Sequence, residues 1–302
     1  MALCETLPER RDKAAREYGV AGYASIEESL DAQSFDAAII AVPAPFHVPL
    51  AMQLTERGLH LLIEKPLGTT LEGVADLQQL VEEKETQVSV GYMMRTFPAL
   101  TEMKDAIDSD RFGRPVEVVV TAGQNFPFYR PDYREIYYAD SAMGGGAIQD
   151  LITHQLNYSE WLVGPITQLV ADAGHCVLEG VEVEDTVHVI TRHGAVMGSF
   201  SVNQHQPPNE LLITVACEQG AARFDITGQR WFSATEPGDD WQLEAEHELD
   251  RDGYYIRQAS RFLDQMSGEA EPTCSLADGI QTLKVNLGVL RSVATRQWVD
   301  IE

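Results

Sequence analysis

Apolar positions in the first third of the chain come in short runs separated by capped, helix-like stretches. Leu3 and Cys4 end a strand-like fragment, and Pro8 to Tyr18 reads as a helix, with proline near its start and Gly19 just past its end. Ser25-Ile-Glu-Glu28 is a capping box opening a short helix, and Phe35 to Val42 has the apolar run of a buried strand. The pattern then predicts a helix from about Pro49 to Arg57 with Gly58 as its stop and a strand from Leu59 to Ile63. A helix capped by Thr69-Thr-Leu-Glu72 and a strand from Gln87 to Tyr92 follow. Strands alternating with helices at this spacing predict a parallel sheet with helices on its faces.

The rhythm changes after Pro115. Val116 to Ala122, Ile166 to Ala173, Asp185 to Arg192, Val196 to Asn203, Leu211 to Cys217 and Ala221 to Ile226 are strand candidates. Tight turns at His193-Gly194 and Gln219-Gly220 join pairs of them into hairpins. A long helix from about Gly146 to Leu162 interrupts this antiparallel meander, and helices near Tyr254 to Met266 and Leu276 to Val293 follow it. The fold class is therefore α/β followed by α+β. The division falls near Arg95 to Pro98, giving residues 1–97 and 98–302 as the two domains, which suits a chain of 302 residues.

Charge narrows the partners: 22 Lys+Arg against 47 Asp+Glu leave a formal net charge of −25, a field that repels nucleic acid and anionic membrane. Such a surface, with lysine only at 13, 65, 84, 104 and 284, is what salt-tolerant proteins show, and an ordinary acidic protein reads the same way. The start has no basic segment leading into a long apolar one, and no run of about 18 apolar residues occurs, so neither a secretory signal nor a membrane span is expected. Cys4, Cys176, Cys217 and Cys274 lie far apart without a Cys-x-x-Cys pair, which argues against zinc and disulfides and for a reducing cytoplasm. His188 and His193, an odd number apart, point to opposite strand faces and argue against a metal site.

Two constellations carry chemistry. Lys65 in Leu-Leu-Ile-Glu-Lys-Pro follows a buried strand, at the carboxyl end of a parallel sheet, where such folds bind ligands. A lysine there can be partly desolvated and donate to a substrate oxygen; the competing reading is a solvated lysine paired with Glu64. The second is Gly144-Gly-Gly146-Ala-Ile-Gln-Asp150-Leu-Ile-Thr-His154, with Tyr158 one turn further on. Asp150 and His154 are four apart on one helical face, so the carboxylate can orient the ring or stabilise its protonated form, unless the two simply form a surface ion pair. The three glycines let the backbone approach something closely. They are not a dinucleotide fingerprint, and no Gly-x-Gly-x-x-Gly occurs in the chain.

Together, Pro43-Ala-Pro-Phe-His47, Glu64-Lys65-Pro66, Gly91-Tyr92-Met-Met-Arg95, the glycine run and the Asp150-x-x-x-His154 helix about 85 residues after Lys65 resemble the Gfo/Idh/MocA (glucose-fructose oxidoreductase and inositol dehydrogenase) family. The resemblance runs along the whole chain. It implies a Rossmann-type domain binding NAD, with NADP as the alternative, and an open-faced, mostly antiparallel sheet domain that holds the substrate and forms homodimers or homotetramers. It implies hydride transfer between nicotinamide and a sugar, sugar derivative or cyclic polyol. Lys65, Asp150 and His154 are the expected catalytic residues, with His154 as base, Lys65 as donor to the reacting oxygen and Asp150 as orienting group; Lys65 and His154 can exchange roles. Glu5, Pro43, His47, Glu64 and Lys65 are expected at the cofactor. Arg95, Tyr129, Arg130, Arg134 and Tyr158 are expected at the substrate, Arg130 and Arg134 either reading an acidic sugar or neutralising Asp132 and Glu135.

One departure stands out. Glu5 fits the acidic position at the ribose, which puts the glycine loop roughly 20 residues upstream of it, before Met1. The expectation is a Rossmann domain truncated at its start, with weak NAD binding, and the rival to an enzyme is a non-catalytic sugar-binding or regulatory relative. Finally, the alternation of Val187, Val189 and Thr191 against His188, Ile190 and Arg192 leaves apolar groups on both faces of a strand, which predicts an interface through the sheet.

Overall fold

The computed structural model describes residues 1–302 apart from the side chain of residue 251. The first part contains β1 (Ala2–Cys4), α1 (Pro8–Tyr18), β2 (Ala21–Tyr23), α2 (Ile26–Ala32), β3 (Ala37–Ile40), α3 (His47–Glu56), β4 (His60–Ile63), α4 (Val74–Lys84) and β5 (Val88–Val90). All its strand pairs are parallel, as the alternation requires, but they form two sheets rather than one, β1–β2 and β3–β4–β5. Helix α1 starts on Pro8 and ends on Gly19 in the left-handed region, and Ser25 accepts from Glu28 N–H at the start of α2. The capping box expected at Thr69 to Glu72 does not form. Instead α4 begins after Gly73, whose φ of 72° turns the chain into the helix without a side-chain cap. Leu61, Ile63, Leu67 and Leu77 are fully buried in this half.

After α5 (Pro98–Asp108) comes β6 (Pro115–Asn125), the short helix α6 (Phe126–Tyr129) and α7 (Thr153–Val163). Strands β7 (Gln168–Gly174), β8 (Thr186–His193), β9 (Val196–Asn203), β10 (His205–Cys217), β11 (Gly220–Asp225), β12 (Arg230–Ala234) and β13 (Gln242–Glu246) follow, then α8 (Arg251–Met266), α9 (Leu276–Thr295) and β14 (Val299–Asp300). The nine strands form one sheet in the order β13-β12-β11-β10-β6-β9-β8-β7-β14. Every neighbouring pair in it is antiparallel except β6–β9.

The face packed against α5, α7 and α9 is the core: Val187, Val189 and Thr191 point into it, and His188 and Ile190 point away. The last helix also belongs to the first half. A Cβ on Gly279 would stand 2.5 Å from Val90, and Leu283 packs in the parallel-sheet core while Val285 and Val289 pack in the other. Helix α9 thus ties the three-stranded parallel sheet to the nine-stranded sheet and fixes the space between them.

Candidate active site

That space is a cavity of about 940 Å³, walled on one side by the carboxyl ends of β3 and β4 and on the other by the helix carrying Asp150 and His154. The expected helix from Gly146 to Leu162 has two parts: Ala147–Ile152 is wound as a π-helix, and α7 continues it. Its start is built by the glycine run. A Cβ on Gly145 would lie 2.2 Å from the Tyr138 carbonyl oxygen, and one on Gly146 would lie 2.5 Å from Glu184 Oε1. The glycines therefore serve backbone packing here, and Glu184 uses the access: its carboxylate accepts from Ile148 N–H at 2.9 Å and its carbonyl from Ala147 N–H at 2.9 Å. Two of the helix's first N–H groups are thereby satisfied.

Lys65 and Asp150 meet across the cavity although 85 residues separate them. Lys65 Nζ donates to Asp150 Oδ1 and to the Asp150 carbonyl, each at 3.0 Å, with side chains only 17% and 13% exposed. The Tyr137 hydroxyl donates to the same Oδ1 at 2.7 Å. Burial by itself would raise the Asp150 carboxyl, but the Lys65 charge and the two hydrogen bonds outweigh it and hold the group below its ordinary value. Burial and, after it, the Lys65 charge push His154 down to about 3, so its ring is neutral at physiological pH.

The His154 ring stands edge-on to Tyr92, with centroids 5.9 Å apart. Tyr92 is held by Thr153, which also accepts from Asn286. Nδ1 of His154 is buried without a partner, which leaves Nε2 as the nitrogen a ligand can meet. Burial also raises the Glu64 carboxyl, against the Lys65 charge and a bond from Lys65 N–H.

Other expected site residues separate into two groups. Pro43, Glu64, Tyr129, Arg130 and Tyr158 line the cavity. Arg95, in contrast, is buried behind α7, where it donates to Asn157 Oδ1 at 2.8 Å and pairs with Asp278 at 3.3 Å. Arg134 lies over the Tyr133 ring and donates to the Glu179 carbonyl at 2.8 Å. Both guanidiniums hold backbone and helix ends in place and neither walls the cavity. His47 is buried between the carbonyls of Pro66 and Val42, at 2.8 and 2.7 Å, and braces the two strand ends. Glu5 accepts from Leu7 N–H at 2.8 Å, outside the cavity wall. Tyr137 and Gln155, not singled out from the sequence, are part of that wall. For Gln155 a signal was present, since Leu151, His154, Gln155 and Tyr158 fall on one helical stripe; Tyr137 lies in the stretch Phe128 to Tyr138, whose density of aromatic and guanidinium groups suits a sugar face without marking that residue.

Residues 1–92 match the family model described as an oxidoreductase family with an NAD-binding Rossmann fold, and residues 100–223 match the GFO/IDH/MocA C-terminal domain. The chain belongs to the Gfo/Idh/MocA family. It is 24% identical to the 1,5-anhydro-D-fructose reductase of Ensifer adhaerens, over all of this chain and 91% of that one. It is 26% identical to the NADP(+)-specified D-xylose 1-dehydrogenase of Haloarcula marismortui, over 91% of this chain and 78% of the other. A levoglucosan dehydrogenase solved with NADH and levoglucosan superposes with a TM-score of 0.90 at 21% identity, covering 99% of this chain and 89% of that one. The residues around the cavity fit the nicotinamide end of such a cofactor. The strand ends offer small and apolar side chains from Ala41 to Ala44, and a Cβ on Gly144 would narrow the space beside Ala44 and Thr69.

Proposed function

We propose that the chain catalyses reversible hydride transfer between NAD(P) and a carbinol carbon of a sugar or cyclic polyol in this cavity. Bound NAD(P) supplies the hydride acceptor or donor at its nicotinamide ring. The chain's own residues do the rest. Pro43, Ala44 and Glu64 face the nicotinamide side, Lys65 donates to the reacting oxygen, and neutral His154 takes the hydroxyl proton at Nε2. Asp150, clamped on one oxygen by Lys65 and Tyr137, holds the ammonium in place. Positioning and proton transfer of this kind supply much of the rate in hydride-transfer sites. Tyr129, Arg130 and Tyr158 contact the sugar.

The observation that carries this reading is the meeting of Lys65, Asp150 and His154 on one cavity at the carboxyl ends of parallel strands. The relatives, with names that specify anhydrofructose, xylose and levoglucosan, support sugars as the substrate class. Reduction of NAD⁺ and NADP⁺ by D-xylose, levoglucosan and myo-inositol, followed at 340 nm for the native chain and Lys65→Met, tests it. Turnover that falls at least about a hundredfold in the variant supports the reading. Sugar binding without any turnover points to the non-catalytic relative instead.

We further infer that two copies associate through the outer face of the nine-stranded sheet. Ile190, 48% exposed, stands there with His188, Val119 and Val170 around a shallow apolar depression, and Met197 on the neighbouring strand is 46% exposed. Four free thiols and an acidic surface suit a reducing cytoplasm, and no helix among the described residues is long and apolar enough to cross a membrane.

A further inference from the structure

The helix that carries Asp150 and His154 turns one stripe to the cavity. Leu151, His154, Gln155 and Tyr158 all line it, at the i, i+3, i+4 and i+7 positions of a single face. Besides His154 Nδ1, two of these side chains end in polar atoms that meet nothing. Tyr158 is fully buried and Gln155 is 3% exposed, yet the Tyr158 hydroxyl and Gln155 Oε1 have no hydrogen-bond partner among the described residues. The core-facing polar side chains of the same helix, Ser159 apart, are bonded: Thr153 to Tyr92 and Asn286, Asn157 to Arg95 and Thr282, Glu160 to Gln281 and Thr282. Buried polar atoms left unmet destabilise a fold. Both residues line the cavity wall, so the unmet atoms belong to side chains that a ligand in the cavity touches.

We infer that Gln155 and Tyr158 form a hydroxyl-reading subsite for the substrate, about one helical turn from the reacting carbon. This rests on the reading of Lys65, Asp150 and His154 as the reaction centre. Gln155 Oε1 only accepts, so the group that satisfies it must donate; the Tyr158 hydroxyl donates or accepts. A free sugar hydroxyl meets both. A carboxylate or phosphate presents lone pairs to Oε1, and an ether or a deoxy carbon leaves it bare.

From His154 to Tyr158 the helix rises about 6 Å, and helical side chains lean back toward the N-terminus. A six-membered ring with its carbinol at His154 and Lys65 therefore carries a hydroxyl on its far side to the subsite. The subsite selects neutral sugars or cyclic polyols with that hydroxyl free, and selects against acidic sugars.

Calorimetric titration of D-xylose, levoglucosan, myo-inositol and D-glucuronate into the full chain tests this without requiring turnover. At least one neutral probe is expected to bind more tightly than D-glucuronate, and Tyr158→Phe and Gln155→Leu are each expected to weaken it about tenfold or more. Both variants delete an unmet buried polar atom, so each raises the melting temperature of the ligand-free protein, a change opposite in sign to that of a structural hydrogen bond. If Gln155→Leu does not fold, Tyr158→Phe, which removes a single oxygen, decides. Tighter binding of D-glucuronate, affinities unchanged in the variants, or no binding by any neutral probe would each overturn the subsite. Absence of NAD(P)-linked turnover with this binding pattern intact would instead overturn the proposed reaction and leave the subsite standing.

Discussion

Tyr137→Phe removes one oxygen from the cavity and leaves the ring in place, which makes its effect calculable. In the native chain the Tyr137 hydroxyl reaches Asp150 Oδ1 at 2.7 Å and Lys65 reaches the same oxygen at 3.0 Å. A hydrogen bond to a charged group contributes about 1.5–3 kcal/mol. Tyr137 is 43% exposed, so water replaces part of it, and about 1 kcal/mol is the expected loss. Loss of that donor raises the Asp150 pKa towards its ordinary value.

The sign follows from the depressed native pKa: the carboxylate contributes stability above its unfolded value, near 3.8, and loses it as pH falls through the native one. Tyr137→Phe therefore lowers stability by about 1 kcal/mol at pH 7, and the difference from the native chain closes in acid. Where Asp150 must be ionised to hold Lys65, the acid limb of kcat/KM moves to higher pH. Steady-state rates from pH 4 to 8, with thermal melts at each pH, measure both. An acid limb and a neutral-pH melting temperature that do not move would refute Tyr137 as a positioning residue.

Other outcomes follow from the same geometry. Lys65→Met removes the charge that helps to depress His154, so the His154 ring, followed by NMR, titrates at higher pH than in the native chain. Burial raises Glu160 to about 7 from its ordinary 4.5, so it binds a proton more tightly folded than unfolded and stability falls as pH rises between those values. Glu160→Gln abolishes that slope, on the order of 3 kcal/mol across the window, in chemical denaturation at pH 5 and pH 8. Ile190→Asp on the outer sheet face yields a monomer by light scattering where the native chain gives a dimer or tetramer. Glu5, expected at the ribose though it stands outside the cavity wall, predicts that NAD⁺ is favoured over NADP⁺ by about tenfold or more in kcat/KM and that Glu5→Ala narrows the gap.

The sequence made legible those features that depend on local chemistry. Pro8 and Gly19 mark a helix because proline suits its first turn and glycine its left-handed end, and Glu-Lys-Pro after an apolar strand places Lys65 at a ligand-binding edge. Thr69 to Glu72 has the letters of a capping box, but the chain turns into its helix at Gly73, and only the backbone path decides between the two. Helix α5 was legible in principle, since Pro98 starts it and Leu100, Met103 and Ile107 recur at a helical period, whereas the short strands β12 to β14 escaped because their few apolar residues are set by pairing in the sheet.

Arginines were the least readable. Arg95 and Arg134 carry the same guanidinium as Arg130, and nothing in their neighbours says that they meet carbonyls and carboxylates away from the cavity. The meeting of Tyr137 with Asp150 was likewise invisible, since it depends on how the glycine run folds back on Tyr138.

Direct hydride transfer is the central claim, and isotope tracing tests it most directly. A neutral sugar that turns over, deuterated at its reacting carbinol carbon, is incubated with the native chain and oxidised cofactor, and the reduced nicotinamide is weighed by mass spectrometry. The account predicts one deuterium per reduced nicotinamide, with the label and the reduction both lost in Lys65→Met. Reduced cofactor without deuterium, or labelled product formed equally well by Lys65→Met, would contradict it.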